Sequence, residues 1–204
     1  MSYLSTHFAH VAALAGAHIT LVAVALACAL AIALPTGLLL ASHQRLSRVV
    51  LALLGALYTI PSLALLALLV EALGLGPLPI FVALVAYAQF VLVRNVLAGI
   101  RGVDPAQRDA AIGMGMSGVQ RTLRVELPQA FPVILGGVRV AAVTMIALAT
   151  LGGYVGAGGL GSLIFMGFTL RHNDQILAGS IAACTLAIAV DAALRMLERL
   201  ARAH

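Results

Sequence analysis

The side chains able to do polar chemistry gather in one stretch. Between positions 101 and 132 lie Arg101, Asp104, Gln107, Arg108, Asp109, Ser117, Gln120, Arg121 and Arg124, the most polar part of a 204-residue chain. Carboxylates and guanidiniums at this density suit charge-assisted contacts to another surface. They form no nucleophile with an adjacent base and no acid–base pair, so catalysis is not their chemistry. The chain has no lysine and therefore no Gly-x-x-x-x-Gly-Lys-Ser/Thr loop to cradle phosphates. His7, His10 and His18 have no cysteine or carboxylate near them in sequence, so no metal site is expected. Asp104-Pro105-Ala106-Gln107 fits a capping box with proline at the first helical position. The helix it opens should run through Asp109, Ala110 and Ala111 towards Met114, with Gly113 and Gly115 ending it. Ser117-Gly118-Val119-Gln120 is a second capping box, opening a helix that Pro128 closes. Two short helices meeting at a glycine make a projecting knob. Periodicity alone leaves two uses level: docking into a groove of a soluble partner, or lying on lipid headgroups.

Composition decides what must hold this knob. The chain is 62% hydrophobic and 9% charged, with a mean hydropathy of +1.09. A soluble domain is about a quarter charged. So few charges cannot cover a globular surface, which excludes a soluble enzyme, a disordered chain and a disulfide scaffold. The class that fits is an all-α integral membrane protein of one domain, residues 1–204. A span needs about 20 apolar residues. We read five, at 19–42, 49–70, 78–99, 133–152 and 175–195. Residues 1–16 lack a basic start and read as a short interfacial helix rather than a cleaved signal. Arg45 and Arg48, then Arg101, Arg108, Arg121 and Arg124, then Arg195, Arg199 and Arg202 fall on one side of these spans, with Arg171 opposite. That asymmetry predicts the N-terminus outside and the C-terminus in the cytoplasm. The net charge of +5 is carried by arginine and does not imply a nucleic-acid partner. Cys28 and Cys184 sit in apolar runs and read as inert packing residues.

Pro35 and Pro61 fall inside the first two spans and each removes a backbone hydrogen bond, as a packing kink or as a hinge. Residues 152–161 read GGYVGAGGLG, which cannot be a stable lipid-facing helix. This segment is either a turn on the outer side or a gate, with Gly158 and Gly159 at its centre. Glu71, Arg94, Asn95 and Asp191 are the polar residues nearest the spans, and Asn95 and Pro61 join the glycines as candidates for a translocation pathway. No inverted repeat or central charge marks a transporter that works alone.

Asp109-Ala110-Ala111, then Gly115, then Val125, Leu127 and Pro128 resemble the EAA motif of permease subunits of bacterial ABC importers: Glu-Ala-Ala, three residues, Gly, nine residues, Ile, one residue, Leu-Pro. The spacing is reproduced at every step, with Asp109 for Glu and Val125 for Ile. Further stretches are similar to osmoprotectant permeases, namely Tyr58-Thr59-Ile60-Pro61-Ser62-Leu63-Ala64-Leu65-Leu66, Arg94-Asn95 with Gly99-Ile100-Arg101, Val103-Asp104-Pro105 and Gly156–Gly161, together spanning about residues 18–191. The resemblance implies a type I ABC importer permease fold in the bacterial cytoplasmic (inner) membrane. It implies that Asp109, Ala110, Ala111, Gly115, Val125, Leu127 and Pro128 form a coupling loop docked to a separate ATPase. ATP and Mg would then be bound by that partner, and this chain would carry no cofactor. The implied partners are two ATPase subunits, an extracytoplasmic substrate-binding protein, and a second permease copy or paralogue, within the lipid bilayer. The implied cargo is a small osmoprotectant such as glycine betaine, choline or carnitine. The alternatives are a permease for another small solute such as methionine, a stand-alone secondary transporter, or a membrane anchor.

Overall fold

A computed structural model describes residues 2–202, and among them every regular element is helical. A short α1 (Ser2–Thr6) precedes α2 (Phe8–Ala41), a 34-residue rod. The separate N-terminal helix expected over residues 1–16 is thus cut to α1, because the apolar run is helical from Phe8 onward and absorbs His10. Then come α3 (Gln44–Thr59), α4 (Ser62–Leu73) and α5 (Pro77–Arg101). The polar stretch folds as α6 (Pro105–Gly113), α7 (Gly118–Arg121) and a π turn (Thr122–Glu126), which runs directly into α8 (Leu127–Ala149). A 3-10 turn (Thr150–Gly153), α9 (Leu160–Leu170) and α10 (Asn173–Arg202) complete the chain.

Among the described residues four helical runs are long and apolar enough to cross a membrane, and the α3–α4 pair makes a fifth if counted as one bent span. The two span prolines behave differently. Pro35 lies inside an unbroken α2, whereas Pro61 separates α3 from α4 at a 92° bend. Proline pushes the preceding residue out of the helical region, and Ile60 is extended at φ −62°, ψ 130°. The Ile60 carbonyl so released accepts a 2.6 Å hydrogen bond from the Tyr87 hydroxyl of α5. Pro128 also departs from expectation. It sits in the first turn of α8 instead of ending a helix, and the wider π turn before it accommodates its missing N–H.

The core is built on α5, which packs between α2 and α8. Ala25, Ala29, Ala33 and Gly37 recur every four residues on α2 and are all buried. Small side chains on one helix face let backbones approach, which is how helices associate where lipid removes the hydrophobic drive. Gln89 of α5 reaches across this seam to donate to the Ala29 carbonyl at 3.2 Å. At Gly37 the approach is closest, since an added Cβ would stand 2.5 Å from Val96 Cγ1. Gly37→Ala is therefore expected to cost about 1–3 kcal/mol. Thermal unfolding in detergent checks this, and the paired change Val96→Ala should restore much of the loss. Cys28 and Cys184 are not core residues: both are exposed on the outside of their helices. An apolar run identifies a span but not which face of it turns inward.

Candidate functional site

The polar end of the molecule is assembled around α6. Asp104 caps it, its Oδ1 accepting from the Ala106 N–H at 2.9 Å. The reciprocal arm of a capping box is absent here, because the Gln107 side chain accepts from Gln129 of α8 instead. At the other end Gly115 takes a left-handed φ of 74°. The Met116 N–H bonds the Ala111 carbonyl at 3.1 Å and the Gly115 N–H bonds the Ile112 carbonyl at 2.9 Å, closing the helix in a Schellman turn. A new helix then starts at α7 with a complete capping box. The Gln120 N–H donates to Ser117 Oγ at 3.3 Å, and the Ser117 N–H donates to Gln120 Oε1 at 3.0 Å.

This geometry divides the two alanines of the motif. Ala111 is 0% exposed and faces the helices, while Ala110 and Asp109 point outward. Gly115 and Pro128 are also exposed, and Val125 and Leu127 are half-buried. The knob leaves large apolar side chains exposed, namely Ile112, Met114, Val119 and Leu123. Exposed apolar side chains on a polar projection suit contact with another surface.

Beneath the knob lies a polar cleft of about 400 Å³ bordered by Arg108, Asp109, Arg121 and Glu126. Arg108 borders this cleft and is held from inside the chain, rather than being left for contact with another surface. The reason is Glu126, only 6% exposed, which stands 3.1 Å from Arg108 Nε and 3.2 Å from Arg121 Nε. The Thr122 hydroxyl donates to the same carboxylate at 3.0 Å. A buried carboxylate requires such partners. Arg108 also donates to the Ile100 carbonyl, so one side chain links α6 to the end of α5 and the start of α8. Arg101 does the same for α2 and α3. It donates to the carbonyls of Leu40 and Ala41 and, at 2.7 Å, to buried Ser47. A cation on terminal carbonyls also complements the negative end of α2.

The opposite end holds the glycine-rich segment. Gly156, Gly158 and Gly159 all have positive φ, so the chain reverses between the 3-10 turn and α9. His18 of α2 is 1% exposed behind it, with Nε2 3.0 Å from the Ile146 carbonyl. The tightening into a 3-10 turn sends the Thr150 N–H to the Ala147 carbonyl, which frees that of Ile146 for His18. His7, by contrast, stacks on Tyr3 at 4.3 Å, so these histidines do not converge. Asn95 donates to the Val91 carbonyl at 2.8 Å and packs against Gly137 of α8.

Residues 33–203 match the family described as the inner membrane component of binding-protein-dependent transport systems. The chain belongs to that permease family. Among its relatives, the carnitine transport permease protein OpuCB of Listeria monocytogenes is 44% identical over 169 residues, covering 83% of this chain and 78% of the relative. The glycine betaine/carnitine/choline transport system permease protein OpuCB of Bacillus subtilis is 33% identical over 199 residues, covering 98% and 92%. The osmoprotectant import permease protein OsmW of Salmonella typhimurium is 36% identical over 201 residues, covering 96% and 94%. A solved chain of the MetNI methionine ABC transporter, in an inward-facing conformation, superposes with a TM-score of 0.83 at 21% identity, covering 94% of this chain and 95% of that one. It establishes the fold alone, an all-helical arrangement with several apolar helices long enough to cross a membrane.

Two groups of this permease escaped the sequence reading. Arg139 lies inside the fourth apolar run, where no central charge was expected, and its guanidinium stands 3.3 Å from Asp191 and 3.1 Å from Glu198 of α10. Asp191 also takes Arg195 at 2.5 Å. An ionisable residue in an apolar run was the available signal. Glu126 occupies the unspecified position between Val125 and Leu127, and its signal was an acid among four nearby arginines.

Proposed function

We propose that this chain is the membrane-spanning subunit of an ATP-driven importer for a small quaternary ammonium osmoprotectant such as glycine betaine, choline or carnitine. The observation that carries this reading is the set of relatives whose names specify those solutes and which align over 82–98% of the chain. In this reading the arginine-rich end faces the cytoplasm of a bacterium, and the α6–α7 knob docks on an ATPase subunit that binds ATP and Mg. Ala110 and Asp109 lie at the contact, Gly115 sets the turn, and Val125, Leu127 and Pro128 join the knob to α8, with Ala111 packed behind. A binding protein delivers solute at the other face, and a second copy or paralogue of this chain completes the pathway. Pro61, Asn95, Gly158 and Gly159 are its candidate elements. ATP closure drives transport only through contacts that differ between the two states of the permease. The low aromatic content, 5% with no Trp, suits a permease that leaves tight binding to the delivery protein.

The test is reconstitution with the cognate ATPase and binding protein, followed by uptake of labelled glycine betaine, choline and carnitine. ATP-dependent uptake of at least one is expected. A stable, ATP-hydrolysing complex that moves none of the three but moves methionine would overturn the substrate assignment.

A further inference from the structure

The chain has four tyrosines and six phenylalanines. Three of these rings meet at the bend between α3 and α4, where a span breaks in mid-course. Tyr58, in the last turn of α3, lies 5.3 Å from Phe90 and 5.8 Å from Tyr87, tilted against the first and edge-on to the second. The cluster is built rather than incidental. Tyr87 is fixed by its hydroxyl bond to the Ile60 carbonyl at the bend, and Phe90 is seated on Gly55, where an added Cβ would come within 3.4 Å of the ring. Tyr58 is 37% exposed and is the open member of the three.

We infer that the bend between α3 and α4 carries a transit site for a quaternary ammonium ion, held against the exposed part of the Tyr58 ring. The ligand class rests on the osmoprotectant reading above; the location rests on geometry. Electron-rich ring faces attract such ions, more strongly where water is excluded. The C-terminal end of α3 adds its negative dipole at the same point. Neither attraction needs a carboxylate, so the site holds the ion weakly enough to release it. Arg94 lies one turn beyond Phe90 on α5, is exposed, and is the only formal charge on that helix before Arg101. Residues four apart share a helix face. Arg94 is therefore placed to meet the carboxylate of a zwitterion such as glycine betaine or carnitine, which choline lacks.

The test replaces Tyr58 by phenylalanine and by mono-, di- and trifluorinated phenylalanine in the reconstituted complex with its ATPase and binding protein. Each fluorine drains the ring face while leaving its shape nearly unchanged. Uptake efficiency for labelled glycine betaine, choline and carnitine should fall stepwise along the series, by roughly two- to thirtyfold in total. Phe90→Leu should lower uptake without the stepwise pattern, and Arg94→Gln should penalise glycine betaine and carnitine more than choline. A flat fluorine series with wild-type uptake intact overturns the inference and leaves the proposed function standing. Absence of uptake of all three solutes by the wild type overturns both.

Discussion

Replacing Ala110 with arginine is expected to leave the chain inserted and folded while abolishing ATP-driven uptake. Ala110 is exposed on α6, between outward-facing Asp109 and buried Ala111. An arginine there has room in the isolated chain and costs it little, since arginine is a good helix former. Against a partner it would hold the surfaces apart and bury an unpaired charge. Disrupting a central contact of this kind costs on the order of 2–4 kcal/mol, roughly a 30- to 1,000-fold loss of assembly. Co-purification with the ATPase measures the loss directly, and melting in detergent measures what happened to the chain. Ala111→Arg is the informative comparison. With 0% exposure it has no room, so the knob itself should come apart and the melting temperature should fall. If Ala110→Arg still captures the ATPase and supports wild-type uptake, the docking assignment is wrong.

That contrast shows where sequence reading stops. Motif spacing groups the two alanines together, but which one faces outward depends on how α6 lies across the helix ends. That in turn depends on Arg108 meeting Glu126, 18 positions away. The starts of α6 and α7 were legible because a cap is a local event: Asp104 and Ser117 bond to N–H groups two and three residues on. The prolines were not, because a freed carbonyl is satisfied or exposed according to its neighbours. At Ile60 the partner is Tyr87, which no local pattern names. The pairing of Arg139 was hidden for a related reason. The residue itself stood out in its apolar run, but its partners did not: Asp191 and Glu198 come from a helix more than fifty residues on. The knob's apolar face was missed because Ile112, Met114, Val119 and Leu123 are scattered through a stretch conspicuous for its charges.

The glycine-rich segment supports a second large effect, and here the cause is contact rather than flexibility. A Cβ added at Gly161 would stand 1.9 Å from the Thr150 carbonyl oxygen and 2.7 Å from its carbon. Seen from the 3-10 turn, a Cβ at Gly153 would stand 2.2 Å from the Gly161 carbonyl carbon. Both obstacles are backbone, so no rotamer change relieves them; the 3-10 turn and the first turn of α9 would have to separate. Buried Leu160 and Leu163 would be drawn out of their packing with them. Gly161→Ala is accordingly expected to cost about 3 kcal/mol or more, enough to deplete a folded membrane protein of ordinary stability. Gly156→Ala isolates the alternative cause. Gly156 has a φ of 79° but open space around its missing side chain, so alanine there meets only the backbone preference, about 1–2 kcal/mol. Folded yield in detergent should therefore drop far more for Gly161→Ala than for Gly156→Ala. Equal losses would mean that the segment needs glycine for its conformation alone. The close crossing would then not be what holds the 3-10 turn against α9.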